Sequence, residues 1–311
     1  MRGATTAGTM SAGVRAVTLD SADGPLSALL CEPQAGPPRA TVVALHGGGT
    51  GAGYFDSTAH PDLSLLTLGA RLGCTVLALD RPGYGRSAAR HPQGRSLAEQ
   101  TVAVRSAIEE FAAGHDTGAG VLLLGHSYGG KLALSLTATS TPDPVIAVDV
   151  SGCGRRPAVD LNDPAGTPRG LRARRLNWGP ARLYPPGAVT SSAHLLTPMP
   201  PREAAGVADW ERRSETLLPR IRVPVRMTFA EYEAWWRHTD EDLADLRARL
   251  TGAPRVVLDR LPGAGHNISL GLAARTYHLR ALAFLEESLR RGSGTGPSPE
   301  PVGGAVPGVR P

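Results

Sequence analysis

Chemistry in this sequence can be built around Ser127. It sits in Gly125-His126-Ser127-Tyr128-Gly129-Gly130, directly after the apolar run Val121–Leu124 and directly before a helical pattern. G-x-S-x-G in that setting puts the serine on a sharp strand-to-helix turn, where glycine neighbours relieve the crowding of a strained backbone. The hydroxyl then projects past the strand's carboxyl end at a helix N-terminus, whose free N–H groups favour negative charge. That arrangement suits attack on a carbonyl carbon, with the Tyr128 N–H as one donor to the developing oxyanion. A second donor belongs on an earlier strand end. His46-Gly47-Gly48-Gly49 follows the run Thr41–Leu45, and its glycines let backbone approach a substrate closely. Gly48 is the expected second donor, Gly47 a substrate contact, and His46 a brace for the loop. No G-x-G-x-x-G and no P-loop lysine accompanies these glycines, which argues against a phosphate cradle.

A serine nucleophile needs a base, and the base needs an orienter. Leu261-Pro262-Gly263-Ala264-Gly265-His266 lies after the last strand-like run and before the final helical segment. From such a loop His266 can swing over the sheet edge towards Ser127. The orienting carboxylate is expected after the preceding strand, where Glu231 and Glu233 follow Val223–Phe229. Glu233 has the better spacing, Glu231 is second, and Asp149 and Asp160 are rivals near the end of Val145–Val150. Among the aromatic residues that could line an apolar cleft (Trp178, Tyr184, Trp210, Tyr232, Trp235, Trp236), we take Trp178, Tyr184 and Trp235 as substrate contacts.

These residues need a scaffold that brings strand ends together. Val14–Leu19 and Leu26–Cys31 read as a hairpin. Thr41–Leu45, Thr75–Leu79, Val121–Leu124, Val145–Val150, Val223–Phe229 and Arg255–Leu258 are short continuous apolar runs, as strands buried on both faces should be. Helical candidates lie between them: Leu63–Leu72, Leu97–Phe111, Tyr128–Ala138, Glu241–Leu250 and Leu270–Leu289. The alternation predicts an α/β fold, a mostly parallel central sheet with helices on both faces. Residues 151–217 break the rhythm with Pro, Gly and Arg and no clear strand, and we read them as an inserted lid. Residues 14–150 and 218–291 form the two parts of the core. Residues 1–13 read as a flexible start without the apolar stretch of a secretory leader, and 292–311, with six glycines and five prolines, as a disordered tail.

The composition narrows the function. The 311 residues include 33 basic and 28 acidic side chains, a formal charge of +5. Seven arginines (155, 156, 169, 172, 174, 175, 182) against two acids (Asp160, Asp163) place that excess in the insert, and the rest of the chain is balanced. This is no general basic coat, and a nucleic-acid partner is not expected. No apolar run approaches the ~20 residues that span a bilayer, so no membrane partner is expected. Three cysteines far apart in sequence (31, 74, 153) match neither a disulfide framework nor a zinc site, which suggests a reducing cytoplasm. Lys131 is the chain's single lysine.

Four segments in order, LHGGG at 45–49, LALDRPGYGRS at 77–87, GHSYGG at 125–130 and LPGAGHNISL at 261–270, resemble the α/β-hydrolase superfamily in its lid-bearing, serine-nucleophile branch. The likeness runs from about Val14 to Leu289. It implies structural roles for Asp80, Gly83, Gly85 and Ser87. One departure lies at the acid: Ala230 and Glu233 stand where the family commonly has the glycine and aspartate of G-x-x-D. A serine nucleophile argues against the epoxide hydrolase and haloalkane dehalogenase subfamilies, which the resemblance associates with aspartate.

The expected activity is hydrolysis of a small-molecule ester, thioester or lactone through an acyl-enzyme, without metal or organic cofactor. The substrate could be anionic or carrier-bound if the insert's arginines recognise it. The alternatives are an acyltransferase, a cyclising or chain-releasing enzyme or a lyase on the same fold, and, further off, a ligand-binding protein without catalysis.

Overall fold

A computed structural model of the chain describes residues 10–139, 145–161 and 170–292. Of the disordered tail expected at 292–311, Gly292 ends a helix and the rest lies outside the described residues, as do most of the flexible start, Asp163 and Arg169. The elements, in chain order, are β1 (Arg15–Leu19), β2 (Leu26–Cys31), β3 (Ala40–Leu45), α1 (Leu65–Arg71), β4 (Cys74–Leu79), α2 (Leu97–Gly114), β5 (Val121–His126), α3 (Tyr128–Thr139) and β6 (Val145–Ser151). The inserted segment follows with α4 (Gly170–Trp178), α5 (Ala188–Ser191), α6 (Pro201–Ala205) and α7 (Trp210–Leu217). The chain then returns to the sheet with β7 (Val225–Tyr232), α8 (Asp240–Arg249), β8 (Val256–Gly265) and α9 (Ala274–Gly292).

All eight strands form one sheet in the order β1-β2-β4-β3-β5-β6-β7-β8. The β1–β2 and β2–β4 pairs are antiparallel, and every later pair is parallel. Helices cover both faces, which is why the strand sequences are continuously apolar. Along β3, Val43 and Leu45 join the cluster under α2, α3 and α8, whereas Val42 and Ala44 join the one under α1 and α9. β3 hands the chain to β4 on one side and pairs with β5 on the other, so the topology reverses there. Crevices at the carboxyl ends of such a switch point are where open α/β sheets hold ligands.

The expected segments match these elements to within a few residues, with two differences. β8 continues to Gly265, through Pro262 and Gly263, because β7 keeps pairing with it after an irregularity (Tyr232 lies opposite Gly265). The last helix starts at Ala274, since Ile268–Leu270 forms a separate short turn. Among the described residues of the segment between β6 and β7, four short helices and a single bridge, Pro157 to Trp236, stand in place of any strand. No helix among the described residues is long and apolar enough to cross a membrane.

The β5–α3 junction sets the site. One residue, Ser127, connects strand to helix, and it is the non-glycine residue with positive φ, +52°, among the described residues. The strain is held by the Ser127 N–H donating to Ser151 O at 2.8 Å and by close packing of the glycines around it. A Cβ on Gly125 would lie 2.5 Å from Gly129 O, and one on Gly129 would overlap the carbonyl oxygen of Leu45. α3 therefore approaches the end of β3 as closely as backbone allows.

This makes a glycine prediction with opposite signs at two helical sites. Helix propensity alone would have alanine add ~1 kcal/mol at either position. Gly129→Ala should instead lose about 3 kcal/mol or more, because backbone and not a movable side chain stands in the way. Gly114→Ala, where nothing lies within 4 Å, should be neutral or gain up to ~1 kcal/mol. Denaturant unfolding of both variants measures this, and equal effects would refute the close-approach argument.

Candidate active site

The carboxyl ends of β3, β5 and β8 and the turn after β7 bring together residues far apart in sequence. His266 follows β8 directly, and its Nε2 lies 3.2 Å from Ser127 Oγ. Its Nδ1 lies 2.8 and 3.0 Å from the two carboxylate oxygens of Glu233. A carboxylate accepts, so Nδ1 carries the proton and Nε2 presents a lone pair to the serine hydroxyl. The Glu233 side chain has no exposed surface. Its Oε1 also accepts the N–H of Trp235 at 2.9 Å, which orients it.

Among the described residues Glu233 is the carboxylate that meets His266. Asp149 is committed elsewhere: it is fully buried, accepts from Arg226 Nη1 at 2.7 Å and from the Tyr277 hydroxyl at 2.9 Å. Glu231 accepts the Gly263 N–H at 2.8 Å and so braces the histidine loop from outside.

Two other histidines crowd the site without joining the chain of hydrogen bonds. His126 stacks on Tyr54 (4.6 Å between centroids) and tilts against His266. Burial, reinforced by His266 and His46, pushes its pKa well below the usual value. His46 is fully buried and accepts the Arg81 N–H through Nε2 at 3.0 Å, and burial, then Arg81, lowers its pKa likewise. Both stay neutral, so they pack and brace without adding charge.

The glycine loop after β3 lies against the elbow. A Cβ on Gly47 would stand 3.2 Å from the Ser127 Cβ. The Gly49 N–H donates to the Tyr84 hydroxyl at 2.9 Å, and Gly49 O accepts Thr197 N–H at 2.9 Å. Tyr128 opens α3, where a first-turn N–H has no helical acceptor ahead of it. Asp80 braces the neighbouring loops, accepting Ala52 N–H and the Ser27 hydroxyl at 2.7 Å each.

One residue of this loop system escaped the sequence reading. Arg81 has no exposed surface, and each of its five guanidinium N–H groups has an acceptor. Nε donates to His46 O (2.7 Å), Nη1 to Gln100 Oε1 and Glu203 Oε2 (2.7 Å each), and Nη2 to Gly47 O and Glu203 Oε1 (3.0 Å each). Glu203 belongs to α6 in the inserted segment, is fully buried, and also accepts from the Tyr84 hydroxyl and Gln100 Nε2. Burial disfavours the Arg81 charge, but the charge and hydrogen bonds of Glu203 together with Tyr84 and Tyr128 outweigh it, and the pKa rises. A D-R-P-G segment gave no local sign of this, because the partner lies 122 residues away.

A cavity of about 870 Å³ opens over Ser127. Gly47, Gly48, Tyr128, His266, Trp235 and Trp178 all reach it, and Ala173, Leu196, Met199 and Val207 supply apolar wall from the inserted segment. Tyr184 does not line it. It packs edge-on behind Trp178 at 4.9 Å, and its hydroxyl sits where a Cβ on Gly265 would be, so it wedges the histidine loop. Trp210 is buried against Gly154 O, and Tyr232 lies under Arg182 outside the cavity. The insert's arginines are partly spent: Arg155 pairs with Asp245 at 2.6 Å and with Glu211, and Arg156 with Asp242. Among the described residues no group of three or more His, Cys, Asp or Glu side chains could hold a metal ion.

A mostly parallel sheet in this order, with a serine elbow and a histidine loop at its carboxyl edge, defines the α/β-hydrolase fold. The chain belongs to the alpha/beta hydrolase family, whose model matches residues 42–277. Among solved structures it is similar to a lipase in its open form, 20% identical, covering 89% of this chain and all of that one with a TM-score of 0.64. It is also similar to a highly thermostable carboxyl esterase from Bacillus coagulans (16%, 90% and 100%, TM-score 0.60). A thioesterase domain from the curacin biosynthetic pathway is a third (17%, 86% and 99%, TM-score 0.59). At these identities the likeness is one of fold. No curated protein matches the chain in sequence.

The Arg81–Glu203 pair makes a stability prediction. Arg81→Met strands a buried carboxylate and should cost about 3–5 kcal/mol. Adding Glu203→Leu should return a large part of that, because no charge is then left unpaired. A double-mutant cycle by denaturant unfolding reads the coupling, and additive losses would show that the pair is not the source.

Proposed function

We propose that the chain is a serine hydrolase acting on a small-molecule ester, thioester or lactone through an acyl-enzyme. The reading rests on one observation, the unbroken chain of hydrogen bonds from Ser127 through His266 to Glu233 on the floor of the cavity. Nε2 of His266 takes the hydroxyl proton as Ser127 Oγ attacks the carbonyl carbon, and Glu233 stabilises the imidazolium that results. With the Gly49 N–H engaged by Tyr84, the N–H groups of Gly48 and Tyr128 receive the oxyanion. His266 returns the proton to the leaving group. Water activated by the same imidazole then releases the acid.

The cavity volume suits a ligand of drug-like size, and its apolar wall suits an acyl or alkyl chain. Much of that wall comes from residues 151–217, which we read as the lid. The lipase, esterase and thioesterase named above fit the same reaction class.

Ser127→Ala should lower turnover of activated esters by roughly 10⁴-fold or more and abolish labelling by a fluorophosphonate probe. Glu233→Gln should lower turnover by roughly 10³–10⁴-fold through loss of the imidazolium's partner. Glu231→Gln should stay close to the unmodified chain, because its carboxylate serves Gly263. Labelling of Ser127→Ala at the wild-type rate would defeat the mechanism.

A further inference from the structure

Lys131 is a charge that the hydrolytic machinery leaves unused. It lies four residues after Ser127 on α3, one helical turn or about 6 Å along the axis, and its side chain lines the same cavity. It is buried, yet no carboxylate comes within 4.0 Å of its ammonium among the described residues. Among the described residues the ammonium makes one hydrogen bond, a long one of 3.4 Å to Val207 O. Three aromatic faces surround the nitrogen, Trp236 at 5.1 Å and Trp210 and Tyr128 at 5.7 Å.

Nearby groups do not neutralise it. Glu203 is already taken by Arg81, Tyr84 and Gln100. Burial raises the pKa of the Cys153 thiol, to about 12, so it stays protonated. Burial lowers the Lys131 pKa to about 8, which still leaves the ammonium the main form at neutral pH. Arg174 also lines the cavity but is exposed, so solvent screens its charge. A desolvated ammonium with donors to spare, aimed into a reaction cavity, is completed by an anion from the ligand.

We propose that Lys131 anchors a carboxylate carried by the substrate a few bonds from the scissile carbonyl, and so selects anionic esters or thioesters over neutral ones. This rests on the reading of Ser127 as nucleophile. It moves the recognition of negative charge from the insert's arginines to the floor of the cavity. Cation–π contacts hold the ammonium in place while no anion is bound.

The experiment compares anionic methyl or acetyl esters with neutral probes of the same shape. Monomethyl succinate against methyl isocaproate tests a carboxylate on the acyl side, and acetoxyacetate against isobutyl acetate tests one on the leaving-group side. In at least one pair, kcat/KM should favour the anion by about tenfold or more, and Lys131→Met should lower that ratio by about tenfold or more. Lys131→Arg should retain part of the preference. Calorimetric binding of the same anions to Ser127→Ala, with and without Lys131→Met, reads the anchor without turnover. The proposal is supported if the second substitution weakens anion binding by about tenfold or more. Unchanged ratios together with unchanged binding overturn it and leave the hydrolase reading intact. Full turnover in Ser127→Ala defeats the hydrolase reading instead, while the binding comparison still decides on Lys131. A larger loss of preference in Arg174→Met than in Lys131→Met overturns it by assigning the anion to the insert. Lower stability of Lys131→Met with an unchanged ratio and unchanged anion binding also overturns it, since a structural lysine would behave in that way.

Discussion

A guanidinium sealed from water must find an acceptor for every one of its donors, and Arg81 finds all five in three separate parts of the chain. The carbonyls of His46 and Gly47 come from the loop after β3, Gln100 from α2, and both oxygens of Glu203 from α6. Such a pair does not necessarily add net stability, because removing two charges from water costs about what their attraction returns. Its effect is geometric. Any loop position that leaves a donor unmet strands a charge in low dielectric. The β3 loop is therefore held by its carbonyls, which leaves its N–H groups for other partners, and the inserted segment is tied to the core at α6.

The elbow depends on that same loop. Gly129 packs against the carbonyls of Leu45 and His46, so the strained Ser127 backbone is braced by the strand end that Arg81 immobilises. Neutral, buried His46 and His126 fill the space between these parts. Buried charge around Ser127 then comes from Glu233 with its histidine, from the mutually paired Arg81 and Glu203, and from Lys131. The first pair is internally balanced when the imidazole is protonated, whereas Lys131 has no fixed counter-charge among the described residues.

Charge along the chain and charge in the folded protein fall in different places. Between residues 155 and 182 arginines outnumber acids, yet Arg155 and Arg156 meet Glu211 on α7 and Asp242 and Asp245 on α8, outside that span. Arg182 donates to the Tyr232 hydroxyl and stacks on its ring. The insert's excess is thus partly neutralised by residues that folding brings to it. The cation with most reason to seek an anion is a single lysine in a balanced stretch of sequence.

What the sequence alone determined was whatever short-range sterics and periodicity encode. The elbow is legible because glycine spacing around a serine reports a backbone crowded at that spot. The strands are legible because burial on both faces leaves continuous apolar runs, and His266 and Glu233 because they follow such runs at short distance. Folding decided the rest, because it depends on pairings at long separation. That Glu233 and not Asp149 meets His266 follows from Arg226 and Tyr277 having claimed Asp149. That Tyr184 wedges a loop and Trp178 faces the cavity is a matter of packing between elements with no shared periodicity. Arg81 and Lys131 look alike in sequence, two cations beside glycine-rich motifs. Only tertiary structure separates them, by supplying one with a buried carboxylate from 122 residues away and leaving the other facing the cavity.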